Sequence, residues 1–166
     1  IIFFFCSMKN NNAMYSDTIH HNLEENGYYP NLSTNDSVRD ILNHSAFKGF
    51  SQFILPWDNN TDYFDTPLLD VGKLMPFHSN VDPYIVVSSL NHMIGEVNMG
   101  KTIFYNFYNE EQKLKDSTKG FTGLFFLRGK LGAPFAIVCP GGGFSYIGSL
   151  HEGFPLANEI SKKGFN

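Results

Sequence analysis

The chain has 166 residues, of which 42% are hydrophobic and 16% aromatic; that is the length of one domain and enough apolar surface to build a core. Lys and Arg total 12 against 16 Asp and Glu, for a formal charge of -4, which excludes the basic surface that a nucleic-acid partner requires. Two cysteines, Cys6 and Cys139, make no disulfide framework, the histidines are scattered apart from His20 and His21, and no apolar run is long enough to cross a bilayer, so a structural metal and a membrane span both lack their signature.

Residues 1–32 read as an apolar stub and a polar tether. "IIFFF" before Cys6 has the character of the end of a secretory apolar segment, with Cys6 where a lipoprotein carries its lipidated cysteine. Phe5 argues against this, because a small residue usually precedes the cleavage point. Export or lipid anchoring at Cys6 thus stands beside a ragged apolar N-terminus of a cytoplasmic protein. The sequons at Asn31, Asn35, Asn43 and Asn59 weigh little in a chain this rich in Asn. A start at Ile1 and a stop at "KKGFN", where a strand is opening, read as a fragment at both ends.

Residues 33–100 read as a mostly helical extension. A short helix is expected between Ser33 and Phe47, capped by Asp36 or Thr34, with Val38, Ile41 and Leu42 on one face. "FKGFSQFILPWDNN" and "FDTPLLDVG" read as loops broken by Pro and Gly; Trp57 and Asp58 lie on a turn, packing there or rimming a pocket. A clearer helix starts at the Asp82 cap with Pro83 in its first position. It carries Val86, Leu90, Met93, Ile94 and Val97 at helical spacing and ends before Gly100.

From residue 101 to 166 the period changes. "KTIFYNFY" and "TGLFFLRG" read as strands around a polar interruption. "PFAIVC" reads as a third strand, and the short link from Gly129 to Ala133 predicts that it folds back on the second as an antiparallel hairpin. A helix is expected from Gly153 to Lys163, with Leu156, Ile160 and Ala157 on the sheet side, and Phe165 opens a fourth strand. The order predicts an α/β fold: antiparallel strands, then one strand–loop–helix unit of a parallel sheet.

The loop "CPGGGFSYIGSLHEGFP" after the third strand admits three chemistries. A dinucleotide fingerprint, G-x-G-x-x-G, fits Gly141 and Gly143 but puts Tyr146 at its third glycine. A nucleophile elbow, G-x-S-x-G, fits Gly143 and Ser145 but finds Gly148 one residue late. Backbone N–H groups aimed at a reacting oxygen fit best: successive glycines turn their N–H groups outward with no side chain in the way.

The stretch "PGGGF" followed by "EGFPLA" resembles the start of α/β-hydrolase esterases related to acetylxylan esterases and feruloyl-esterase-like enzymes. Gly141, Gly142, Gly143 and Phe144 match the first part of the motif, and Glu152, Gly153, Pro155 and Ala157 the second; Pro140 stands where related lipases carry His. The resemblance covers roughly residues 123–166. It implies an oxyanion hole made by the N–H groups of Gly142, Gly143 and Phe144, with Phe144 also walling an acyl pocket. It implies a catalytic Ser, then Asp or Glu, then His, all past Asn166, and no metal or organic cofactor.

Other residues take quieter roles in this reading. His151 precedes the expected nucleophile, so it is a loop or surface histidine, or a substrate contact. Glu152 sits near a helix N-terminus, where a carboxylate is stabilised. Cys139 reads as a small core residue. The expectation is the N-terminal part of a serine esterase acting on a small-molecule ester, with acylated carbohydrates the substrate class that the resemblance suggests; the alternatives are a non-catalytic binding module on the same scaffold and, behind it, a nucleotide-binding oxidoreductase.

Overall fold

The computed structural model of the chain describes residues 27–55, 62–74, 80–143 and 146–166. The first helix, α1 (Val38–Asn43), is capped by Ser37 and not by Thr34 or Asp36. The Ser37 hydroxyl accepts from the Asp40 N–H and the Asp40 carboxylate accepts from the Ser37 N–H, a reciprocal capping box. Asp36 instead holds the preceding turn by accepting from the Ser33 N–H at 2.6 Å. Val38 and Ile41 are buried as expected, with Leu42 packed against the core. Short 3-10 turns follow at Ser45–Phe47 and Ser51–Phe53, and a longer one at Leu68–Leu74 buries Leu68 and Val71.

Helix α2 (Pro83–Asn98) has the start and stop expected of it. The Asp82 carboxylate accepts from the Tyr84 and Ile85 N–H groups, and Gly100 adopts φ 72 beyond the end. Val86, Leu90, Met93 and Ile94 are buried. Two asparagines on α2 grip the backbone of the N-terminal segment. Asn98 accepts from the Tyr29 N–H at 2.7 Å and donates to the Tyr29 C=O at 2.9 Å. Asn91 does the same to Leu32, at 2.8 Å in both directions.

The strands are short. β1 (Phe104–Asn106) pairs antiparallel with β2 (Gly123–Phe125), Phe104 opposite Phe125, and the Phe126 N–H continues the ladder to the Ile103 C=O. The polar interruption between them holds helix α3 (Glu110–Lys115), capped by Asn109, and a 3-10 turn at Ser117–Phe121. Gly123 is needed in β2 because a Cβ there would overlap the Phe104 ring. The result is a mixed α/β arrangement of helices around a two-stranded antiparallel sheet.

The hairpin expected between the second and third apolar segments does not form. Among the described residues no backbone hydrogen bond joins 124–128 to 134–139, and 134–139 is not a strand. Asn166 engages both segments instead. Its N–H donates to the Pro134 C=O at 2.9 Å and its C=O accepts from the Ala136 N–H at 2.7 Å. Its side chain accepts from the Gly129 N–H and donates to the Lys130 C=O. Two bonds to one residue from the neighbours of Phe135 follow the pattern of parallel pairing. The short link misled because link length alone does not choose a strand's neighbour.

Helix α4 (Phe154–Lys162) buries Phe154, Ala157, Asn158 and Ser161. Leu156, expected on the sheet side, is exposed, and Ile160 is partly buried. The cause is phase: Phe154 takes the core position, its ring edge-on to Phe125 at 4.9 Å, so the spacing of three and four runs through Ala157 and Ser161 and leaves Leu156 outside. A phenylalanine cluster ties the parts together, with Phe50 and Phe53 each stacked on Phe104 at 5.0 Å and Phe50 edge-on to Phe125 at 5.8 Å. Beside it the buried Glu96 carboxylate meets Lys101 at 2.7 Å and Arg128 at 3.4 Å. One core therefore draws on both 33–100 and 101–166.

Candidate functional site

The glycine loop leaves the 134–139 segment at Pro140 and runs to the turn that opens α4. Along that segment Val138 turns inward, and Cys139 is exposed. The expectation of a core role for Cys139 is therefore corrected: neighbouring side chains of an extended segment point to opposite faces, and Val138 holds the inner one. Gly142 and Gly143 have φ 155 and 59, conformations that L side chains rarely adopt. A Cβ on Gly142 would also collide with the Tyr146 C=O, whereas one on Gly143 would meet open space.

The loop is closed from within. The Gly148 N–H donates to the Gly141 C=O at 2.8 Å, and the Tyr146 N–H donates to the Gly142 C=O at 3.3 Å. A single helical turn of π type, Ser149–Gly153, then leads into α4. Glu152 lies in this turn and reaches back: its Oε2 accepts from the Gly141 N–H at 2.8 Å. The same carboxylate would touch a Cβ at Gly148, so the glycine there lets Glu152 lie close against the loop. Glu152 thus anchors the glycine loop directly. Among the described residues, the N–H groups of Gly142 and Gly143 donate no hydrogen bond.

Of the readings for His151, the surface one fails: it lies in the turn Ser149–Gly153 with its side chain 1% exposed and Nε2 4.0 Å from the Glu152 carboxylate. Its ring lies 6.0 Å from that of Tyr146. It sits in the turn Ser149–Gly153 between Leu150, which is in the core, and Glu152, which holds the Gly141 N–H.

The structure therefore brings Gly141, Gly142, Gly143, Gly148, His151 and Glu152 together. Phe144 and Ser145 lie outside the described residues, as do Cys6, His20, His21, Trp57 and Asp58. Sequence reasoning missed a set of buried polar groups: Ser149 Oγ and Asn158 Nδ2 are buried with no hydrogen-bond partner among the described residues, and Asn158 Oδ1 lies 2.6 Å from His92 Nδ1 on α2. The available signal was Asn158 falling between Ala157 and Ser161 on the inward face of α4.

Among the described residues no three His, Cys, Asp or Glu side chains could hold a metal ion together, and no helix is long and apolar enough to cross a membrane. Comparison with protein-family models, with curated proteins and with solved structures returns no match to the chain.

Proposed function

We propose that the chain carries the oxyanion-binding end of a serine ester hydrolase of α/β-hydrolase type. The observation that carries this reading is the pair of N–H groups at Gly142 and Gly143 that donate no hydrogen bond among the described residues, on a loop fastened at its base by Glu152. In ester hydrolysis the carbonyl oxygen gains negative charge as the tetrahedral intermediate forms. Donors already in place stabilise that charge without reorganising, and losing one such donor costs roughly 3 kcal/mol in known cases. The fold reading is supported by the pairing of Asn166 beside Phe135, which makes the loop and α4 a crossover between parallel segments.

In this mechanism the glycine loop binds and polarises the ester carbonyl. By the family resemblance, the Phe144 N–H would be the third donor and its ring would wall the acyl pocket. A serine attacks the carbonyl carbon, a histidine takes its proton and returns it to the leaving alcohol, and water hydrolyses the acyl-enzyme. The family order places Ser, then Asp or Glu, then His after the loop, so these three are proposed to lie past Asn166. The substrate is a small-molecule ester, with acylated carbohydrates the favoured class.

The test is to express the complete reading frame that contains this sequence and treat it with a fluorophosphonate probe. The expected result is one labelled serine within G-x-S-x-G and hydrolysis of p-nitrophenyl acetate. The absence of both labelling and hydrolysis would overturn the proposal. The 166-residue chain itself is expected to show little hydrolysis of the ester, since the hole without its nucleophile supports little turnover. Hydrolysis by this chain that disappears in Ser145→Ala would move the nucleophile to Ser145.

A further inference from the structure

We infer that Glu152 is a positioning residue for the proposed ester hydrolysis: by holding the Gly141 N–H it fixes the direction in which Gly142 and Gly143 present theirs. The inference rests on the esterase reading and adds to it the side chain that sets the geometry of the hole.

The need for such a residue follows from the sequence. Gly141, Gly142 and Gly143 carry no Cβ, so each has more backbone freedom to lose than any other residue type. A hole made of their N–H groups stabilises an oxyanion only if those donors are aimed before the charge develops. A run of glycines cannot supply that order itself, so the restraint has to come from outside the run.

Gly141 is restrained at both of its polar groups. Its N–H donates to Glu152 Oε2 at 2.8 Å, and its C=O accepts from the Gly148 N–H at 2.8 Å. In a planar trans peptide the C=O of one residue and the N–H of the next point to opposite sides. Turning the Gly141 C=O toward Gly148 therefore turns the Gly142 N–H away from it. The Gly142 C=O accepts from the Tyr146 N–H at 3.3 Å, and this turns the Gly143 N–H away from Tyr146 in the same manner. Both aims are set from Gly141 onward, and Glu152 holds the first N–H of the run.

Glu152 is itself seated on the residue that closes the loop. The N–H groups of Glu152 and Gly153 both donate to the Gly148 C=O at 3.0 Å. Its Oε2 would lie 3.1 Å from a Cβ on Gly148 and 3.5 Å from one on Gly141, so the side chain lies along the loop and uses its full length to reach Gly141. Reach and charge can be separated. Aspartate at this position keeps the charge and loses one methylene of reach, whereas glutamine keeps the reach and an accepting oxygen and loses the charge.

The test measures p-nitrophenyl acetate hydrolysis by the complete reading frame carrying Glu152→Ala, Glu152→Asp or Glu152→Gln, at a temperature where circular dichroism shows each variant folded. Glu152→Ala and Glu152→Asp are expected to lose about tenfold or more in kcat. Their KM should stay within about twofold of wild type, the signature of an interaction that matters in the transition state. Glu152→Gln should keep kcat within about threefold, because the bond to the Gly141 N–H survives. A residue serving only stability would leave kcat of the folded variants unchanged, and that result would overturn the proposal. A loss confined to KM, or a Gln variant as slow as the Ala variant, would overturn it too. If Glu152→Ala does not fold, the Asp and Gln variants decide alone. An inactive wild type overturns the esterase reading and this proposal with it; an active wild type with any of the contrary results overturns this proposal alone.

Discussion

His44 is held between two backbone groups. Its Nδ1 lies 3.3 Å from the Ala46 N–H, which it accepts, and its Nε2 lies 2.9 Å from the Pro30 C=O, to which it donates. That arrangement fits the neutral ring, and burial lowers its pKa from 6.5 against the opposing pulls of the Pro30 carbonyl and Asp36. The unfolded chain takes up a proton that the folded chain resists. The contribution of His44 is therefore complete above pH 6.5 and is lost as pH falls through the lower folded pKa. Urea unfolding across that window should give stability that rises with pH, and His44→Gln should flatten the rise; an unchanged slope would assign the titration to another group.

At the glycine loop, Glu152→Ala removes a charge-assisted bond to the Gly141 N–H and is expected to cost about 1–2 kcal/mol, its side chain being one-third exposed. Gly142→Ala forces a Cβ onto the Tyr146 C=O at φ 155 and should cost more than about 1 kcal/mol, whereas Gly143→Ala meets only the strain of its positive φ. Thermal melts of the three variants rank them, and Gly142→Ala matching wild type would refute the loop geometry.

Among the elements, α2 was the most legible. An Asp-Pro start, helical spacing of apolar residues and a closing Gly all act within a few residues of one another, and the observed bounds follow them. α1 was legible as a helix but not in its cap, since Ser37, Asp36 and Thr34 are equally able acceptors and only the reciprocal Asp40 bond chooses. The two short strands were seen, and β2 depends on its glycine: Gly123→Ala pushes a methyl into the Phe104 ring and is expected to cost about 1–3 kcal/mol by overpacking. A lower urea midpoint at unchanged slope would show it. The third segment was misread because its apolar alternation says "strand" while its partner, Asn166, lies across a loop and a helix. The glycine loop was legible in composition, but its anchor was not. Glu152 reaches Gly141 over a separation of 11 residues, and nothing local marks that contact apart from a carboxylate near a helix start.

For the molecule as a whole, the phenylalanines set the cooperativity. Phe125 is fully buried and touches rings from the N-terminal extension, from β1 and from α4. Phe125→Ala should cost about 3–5 kcal/mol, a large share of the roughly 5–15 kcal/mol that holds a domain. Circular dichroism melts should show a sharply lowered or broadened transition for this variant, and a loss below about 1 kcal/mol would mean that the halves of the core are not coupled through this ring.

The asparagine clasps on α2 carry a metrical consequence. Asn91 and Asn98 are seven residues apart and hold Leu32 and Tyr29, three residues apart. Seven helical residues rise about 10.5 Å, and three extended residues span about 10 Å. Helix and segment are two rulers with the same mark spacing, laid in opposite directions. They agree in one register: a slip of one residue displaces both backbone sites by about 3.3 Å, beyond hydrogen-bond reach of either amide. The helix thus measures the segment that crosses it and fixes the register of 29–32, although 27–33 forms neither strand nor helix.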